Sequence, residues 1–190
     1  MALYDELVNM VAIHVSPCPE VAIYDATRHV VREFCRESRV WVHECEALSH
    51  VDVGAKVELT IPEDSVIIYI WGINGRCGVY GDDSLNYFVM PPNFLMLNHP
   101  QRNEVKPLVS LMPSIESTEY PDFIKEYFCE GLVSGVVSYL QMQPDRAWSQ
   151  PNMAVPHQLQ YEHVLNQAKQ MRDNGLNISP VNRRIRPTYM

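Results

Sequence analysis

Apolar residues recur at three- and four-residue steps through the stretch from Tyr120 to Met142: Ile124, Tyr127/Phe128, Leu132, Val136 and Tyr139. This spacing predicts one buried helical stripe. Pro121 suits the first turn, where a missing N–H costs nothing, and Pro144 marks the end. Gly131, Ser134, Gly135 and Ser138 form a second, small-residue seam on a neighbouring face. A helical glycine costs about 1 kcal/mol relative to alanine, so two of them imply close approach by another backbone. This is the expected central core helix.

The same period appears three more times. Leu3, Leu7, Met10/Val11 and His14 predict a short first helix, broken by Ser16-Pro17-Cys18-Pro19. A second runs from about Pro19 to Ser38, with Ile23, Ala26, Val30 and Phe34 inward. Arg28, Arg32 and Arg36 line another of its faces, continuing to Arg39. Such a stripe either grips phosphate or an acidic partner, or is a solvated face offset by Asp25, Glu33 and Glu37. A last helix is expected to open at Val155-Pro156, with Tyr161, Val164/Leu165, Ala168 and Met171 on one side and a cap at Asn174-Gly175.

From Val40 the helical period fades, and β-branched or aromatic runs alternate with turn residues. Strands are expected at Val40–Leu48, Lys56–Ile61, Ser65–Ile73, Leu85–Met90, Phe94–Leu97 and Glu104–Leu111. Asn74-Gly75 is a hairpin signal, while Pro91-Pro92 and Pro107 point to edge strands or bulges. The expected fold class is therefore α+β. A four-helix core (1–39 and 117–174) carries an inserted small β domain (40–116) and an extended C-terminal tail (175–190).

A chain of 190 residues with 46% apolar side chains is about one domain and can bury a core. Its net charge of −8 argues against a general nucleic-acid binder. The tail carries Arg183, Arg184 and Arg186 and no acid, which leaves 12 basic residues against 23 acids, a charge of −11, for residues 1–174. Five scattered cysteines without a CxxC suit reduced thiols better than a disulfide framework. The opening MALYDELVNM lacks a basic n-region, so no secretory leader is expected. No apolar run approaches the length of a membrane span.

Candidate chemistry is sparse. His43 and Cys45 lie near each other, but no second pair completes a metal motif among the seven histidines. Gly72, Gly75, Gly78 and Gly81 imitate a phosphate loop, yet no helix follows them, so turns explain them better. Asp82-Asp83 sit beside Gly81 in a turn context. No nucleophile elbow or activated thiol is present. The expectation is a protein that is not an enzyme, with no catalytic residue, metal or cofactor.

The order of helices, β block, helices and tail, with VVREFCRESRVW (30–41), PPNFLMLNHP (91–100) and YPDFIKEYFCEGLVSGVVSYLQMQPDRAWSQPNMA (120–154), resembles the head-to-tail adaptor (connector) proteins of short-tailed bacteriophages. The likeness spans nearly the whole chain. It implies a structural virion protein at the head–tail junction, assembled in the host cytoplasm. Such a subunit joins a homo-oligomeric ring, dodecameric by precedent, which docks on the portal protein and presents a platform to a downstream tail protein. Genomic DNA would pass through the lumen without sequence-specific binding, and no membrane would be involved. The resemblance places Gly131 and Gly135 in the helix seam, and Arg28, Arg32, Arg36 and Trp148 at subunit contacts. It places Arg183, Arg184, Ile185, Arg186 and Tyr189 on the portal. Two other classes remain open: a receptor-binding or tail-end β module, and a small enzyme lacking a recognisable motif.

Overall fold

The structure, a computed structural model, describes residues 1–48, 52, 54–73, 87–97 and 106–174. Its frame is four helices: α1 (Tyr4–Ala12), α2 (Glu20–Ser38), α3 (Asp122–Gln141) and α4 (Pro151–Asn174). α3 packs against all three others, and α2 also packs on α4, so the first two helices and the last two share one core. Ile23, Ala26, Val30 and Phe34 are buried along α2, as its period requires.

Two helices depart from their expected faces. In α1 the buried residues are Tyr4, Leu7, Val8 and Val11, while Leu3, Met10 and His14 are exposed. The cause is a pairing invisible locally: Ala2–Leu3 forms a strand, β1, antiparallel to Glu119–Tyr120, so the helix begins only at Tyr4. In α3, Ile124, Phe128, Leu132 and Val136 are buried, but Tyr127 and Tyr139 are exposed. With neighbours on several sides the apolar residues are not confined to one stripe, and Val137 and Leu140 take the buried places.

α4 starts at Pro151, four residues before the expected opening, and Pro156 lies inside it. Pro151 takes the first helical position, where no N–H is needed. The Met153 and Ala154 amides both donate to the Gln150 carbonyl, which fixes the start. Pro156 removes a single bond near the end of the first turns. The Gly175 cap lies outside the described residues.

Between α2 and α3 come β2 (Val42–Glu44), β3 (Lys56–Glu58), β4 (Ser65–Ile73), β5 (Tyr87–Met90), β6 (Phe94–Leu97) and β7 (Pro107–Pro113), followed by β8 (Glu119–Tyr120), the partner of β1. They form antiparallel sheets of order β2-β7-β4 and β3-β6-β5. β4 and β6 have the expected bounds, β2 and β3 are shorter, and β7 runs on to Pro113; the expected first residues of the strands at Leu85–Met90 and Glu104–Leu111 lie outside the described residues. Pro107, expected on an edge strand or at a bulge, opens the central strand β7, where a first residue needs no ladder N–H; the β4–β7 ladder itself carries two register shifts. Pro91-Pro92 lie in the turn joining β5 to β6. The Asn74-Gly75 hairpin, the glycines after Gly72 and Asp82-Asp83 lie outside the described residues.

The two ends of the inserted stretch meet. The Leu111 amide donates to the Trp41 carbonyl at 2.9 Å, and Ser110 Oγ to the Arg39 carbonyl at 3.1 Å. Val109 and Leu111 of β7, with Ile70, Leu59 and Leu95, belong to the same apolar cluster as the helices. The β block is thus continuous with the helical core.

Candidate interaction surface

The seam of α3 is the contact with α4. An added Cβ at Gly131 would stand 2.4 Å from Val164 Cβ, and one at Gly135 2.5 Å from Tyr161 Cδ2. Both lie far inside ordinary contact; at Gly131 the atom met is a Cβ fixed to the α4 backbone, so there only glycine permits this helix separation. Farther along, Ser138 Oγ donates to Gln158 Oε1 at 3.1 Å, and Gln158 Nε2 donates to Glu162.

Beside the seam a cleft of about 430 Å³ opens between α2, α3 and α4, lined by His29, Glu33, Ser138, Tyr139, Gln158 and Tyr161 among others. The His29 and Tyr139 rings lie 4.9 Å apart. The Tyr161 hydroxyl is buried without a hydrogen-bond partner among the described residues, and burial pushes its pKa far up. Ser138 is engaged with an amide oxygen, so the cleft holds no activated hydroxyl. A second hollow of about 420 Å³, on the other side of the α3–α4 pair, is lined by Glu126, Glu130, Gln160, His163 and Gln167.

Large apolar side chains are exposed beyond α1, on α4 and at the end of α3. Ile13 is 81% exposed at the end of α1 and Leu159 61% on α4, with Tyr139, Met142, Met153 and Val155 also open to solvent. The His14 and His157 rings, 6.0 Å apart, bring the end of α1 to the start of α4. Met142 and Tyr139 share the cleft wall with Gln158. Ile13 lies just beyond α1, Tyr139 and Met142 at the end of α3, and Met153, Val155 and Leu159 in the first half of α4.

The arginine stripe does not act as one feature. The Arg28 guanidinium lies 5.9 Å from the Tyr24 ring centroid. Arg32 Nε donates to the Pro113 carbonyl at 3.0 Å, tying α2 to the end of β7. Arg36 is exposed and paired with Glu33 and Glu37. Trp148 is partly buried, its indole N–H has no partner among the described residues, and Arg146 lies 5.9 Å from its ring. Arg183, Arg184, Ile185, Arg186 and Tyr189 lie outside the described residues.

A cluster that sequence reasoning missed joins helices to sheet. Arg39, in the left-handed region at φ 54°, caps α2 and places its guanidinium 4.1 Å from the Tyr69 ring. Tyr69 and Trp71 of β4 meet edge to face at 4.9 Å. Arg172, in the last turn of α4, lies 5.2 Å from Trp71 and donates to the Ser38 carbonyl at 2.8 Å. Trp71 Nε1 donates to Ser110 Oγ at 2.6 Å. The i, i+2 spacing of Tyr69 and Trp71 was legible; their two arginines, 30 and 101 residues away from Tyr69 and Trp71, were not.

Elsewhere the titration pattern follows burial. The enclosed Cys35 thiol is pushed up to about 12 and Cys45 to about 11. Tyr4 and Tyr120, with rings 5.2 Å apart and hydroxyls unpartnered among the described residues, are raised further. Burial, then the nearby His14, lowers His157. Among the described residues no three of His, Cys, Asp and Glu assemble into a metal site, and no helix is long and apolar enough to cross a membrane. No family model matches the chain, and no curated protein matches it significantly.

Proposed function

We propose that the chain is a structural subunit that assembles into a ring and serves as a head-to-tail adaptor of a short-tailed bacteriophage. The observation that carries the assembly half of this reading is apolar surface left open to solvent: Tyr139 and Met142 on the cleft wall, and Ile13, Val155 and Leu159 exposed on α4 and beyond the end of α1. Large apolar side chains open to solvent beside a cleft mark interaction sites. In a rotational ring each subunit offers two different faces, and this apolar surface serves as one of them. The adaptor half rests on the resemblance in sequence, including the helix with the Gly131 and Gly135 seam.

The acidic charge of residues 1–174 suits a lumen through which DNA slides, because like charge discourages sticking. The basic residues Arg183, Arg184 and Arg186 would meet carboxylates of the portal, with Ile185 and Tyr189 supplying apolar contact. The β-module alternative called for a dominant sandwich, whereas the described sheets have two or three strands each. The enzyme alternative would use the cleft of His29 and Ser138, where no base is hydrogen-bonded to the hydroxyl.

Native mass spectrometry and electron microscopy of the purified chain, alone and with portal, test the reading. Closed rings on the portal are expected, and Ile13→Asp with Leu159→Asp abolishes them while leaving the fold. A chain that stays monomeric in both conditions overturns the proposal.

A further inference from the structure

The first and last helices meet at a pair of imidazoles. His14 lies in the turn that follows α1, His157 lies in the second turn of α4, and their rings stand 6.0 Å apart at an angle of 63°. Hydrogen bonds from the end of α3 hold both segments. Gln141, only 4% exposed, donates from Nε2 to the His14 carbonyl at 3.5 Å. Its own carbonyl accepts from the Gln150 amide at 3.0 Å, and the Gln150 carbonyl accepts from the Met153 and Ala154 amides. Val15, next to His14, and Ala154, one turn before His157, are both buried. The backbone beneath each ring is thus anchored, while His14 is exposed and His157 half-buried.

We propose that His14 and His157 together bind a divalent transition-metal ion of the zinc type, which bridges the end of α1 to the start of α4. Imidazole nitrogen suits zinc, copper and nickel, whereas magnesium and calcium take oxygen ligands. Two rings bonded to one ion at about 2.0–2.1 Å put their centroids roughly 5–6 Å apart at tetrahedral and wider angles. The observed 6.0 Å lies at the top of that range. Rotation of the exposed His14 ring, rather than a shift of the helices, therefore brings both nitrogens onto one ion.

Among the described residues no third His, Cys, Asp or Glu completes a metal cluster, so water fills the remaining positions. Binding is accordingly exchangeable and micromolar, weaker than at a four-ligand structural zinc site. The two ligands are distant in sequence and come together only in the folded chain, so the ion stabilises the fold by mass action. It also adds a direct tie between helices that otherwise share a core through α2 and α3. The site belongs to one subunit and does not rest on the ring reading.

Titration of the metal-stripped, full-length chain with zinc chloride tests the site, by calorimetry and by the ring signals of 15N-labelled histidine. The His14 and His157 signals are expected to shift together at micromolar zinc, while those of the other five of the seven histidines stay in place. His14→Ala and His157→Ala should each weaken binding by about tenfold or more and abolish the rise in melting temperature that zinc brings. His29→Ala, on α2, should leave both unchanged. The ring shifts are read on the parent chain, so they decide the matter even where a variant folds poorly. Unmoved His14 and His157 signals at about 1 mM zinc overturn the proposal, as does binding that neither substitution weakens. So does binding that occurs only with dimerisation in sedimentation, which assigns the ion to a site shared by two copies.

Discussion

Gly131→Ala sets two effects of known size against each other. Alanine gains about 1 kcal/mol of helix propensity over glycine. Its methyl, however, would lie 2.4 Å from both Cβ and Cγ1 of Val164 and 2.8 Å from Cγ2. Carbon atoms settle at roughly 3.5–4.0 Å, so the separation must grow by about 1 Å. No rotamer of Val164 supplies this, because Cβ is fixed to the α4 backbone. The helices themselves must part, and Ala154 and Ala168, fully buried along α4, lose contacts with them. Overpacking costs about 1–3 kcal/mol, and an overlap of about 1 Å against a fixed atom belongs to the upper half of that range, which leaves a net loss on the order of 1–2 kcal/mol. In urea unfolding followed by circular dichroism, the midpoint should fall at unchanged slope. Heating should show a melting point lower by about 2–4 °C per kcal/mol.

The neighbouring position supplies the control. A methyl at Gly135 meets the Tyr161 ring edge at 2.5 and 2.9 Å and Val30 Cγ1 at 3.0 Å. These are outer atoms of side chains, and the ring borders an open cleft into which it can turn. Gly135→Ala should therefore lose less than half as much as Gly131→Ala. Val164→Ala added to Gly131→Ala removes the Cγ contacts but keeps Cβ, so it relieves the strain only in part. A Gly131→Ala protein as stable as the parent, or less affected than Gly135→Ala, refutes the helix separation on which the reasoning stands.

Tyr120→Phe removes a buried hydroxyl that lacks a partner, so stability should rise by about 1 kcal/mol in the same assay; an equal fall would reveal a bonded group there. Arg32→Met should destabilise the fold by about 1–2 kcal/mol through loss of the Pro113 carbonyl bond, whereas Arg36→Met should stay within about 0.5 kcal/mol because its ion pairs are exposed. Equal effects from the two substitutions would count against the division of the stripe. His157 is lowered by burial first and by His14 second, so the folded state favours the neutral ring. Its contribution is complete above the unfolded value near 6.5 and is lost as pH falls from there toward the lowered folded value. His157→Gln should flatten the acid limb of the melting curve below about pH 6.5, and an unchanged limb would discount this histidine.

The helices were legible where one face decides burial. α2 has one stripe, and Ile23, Ala26, Val30 and Phe34 all lie inside. α3 is enclosed on several sides, so apolar identity did not select the inward residues, and Tyr127 and Tyr139 were misplaced. The phase of α1 depended on residues more than a hundred positions away, through β1–β8 pairing and the stacking of Tyr4 on Tyr120. The glycine seam was readable because glycine inside a helix is costly enough to need a cause. The β block was readable as strands but not as an order of strands. That order depends on which segment has both edges satisfied, and β7 has both although a proline stands at each end of it.

The arginines show why spacing alone could not assign the surface. Positions four apart share a helix face, but that face crosses from the bundle to the end of a strand and then into solvent. Arg32 meets a backbone carbonyl, Arg36 meets exposed acids, and Arg39 no longer continues the helix. A left-handed conformation in a residue with a Cβ costs about 1 kcal/mol or more, and glycine is the usual occupant. Glycine would end α2 but offer nothing to Tyr69, whereas arginine returns about 0.5–2 kcal/mol through its guanidinium over the ring. The Arg39 carbonyl also accepts from Ser110, whose hydroxyl in turn accepts from Trp71, and Trp71 carries Arg172. One strained cap thus links the end of α2, the middle of the sheet and the end of α4.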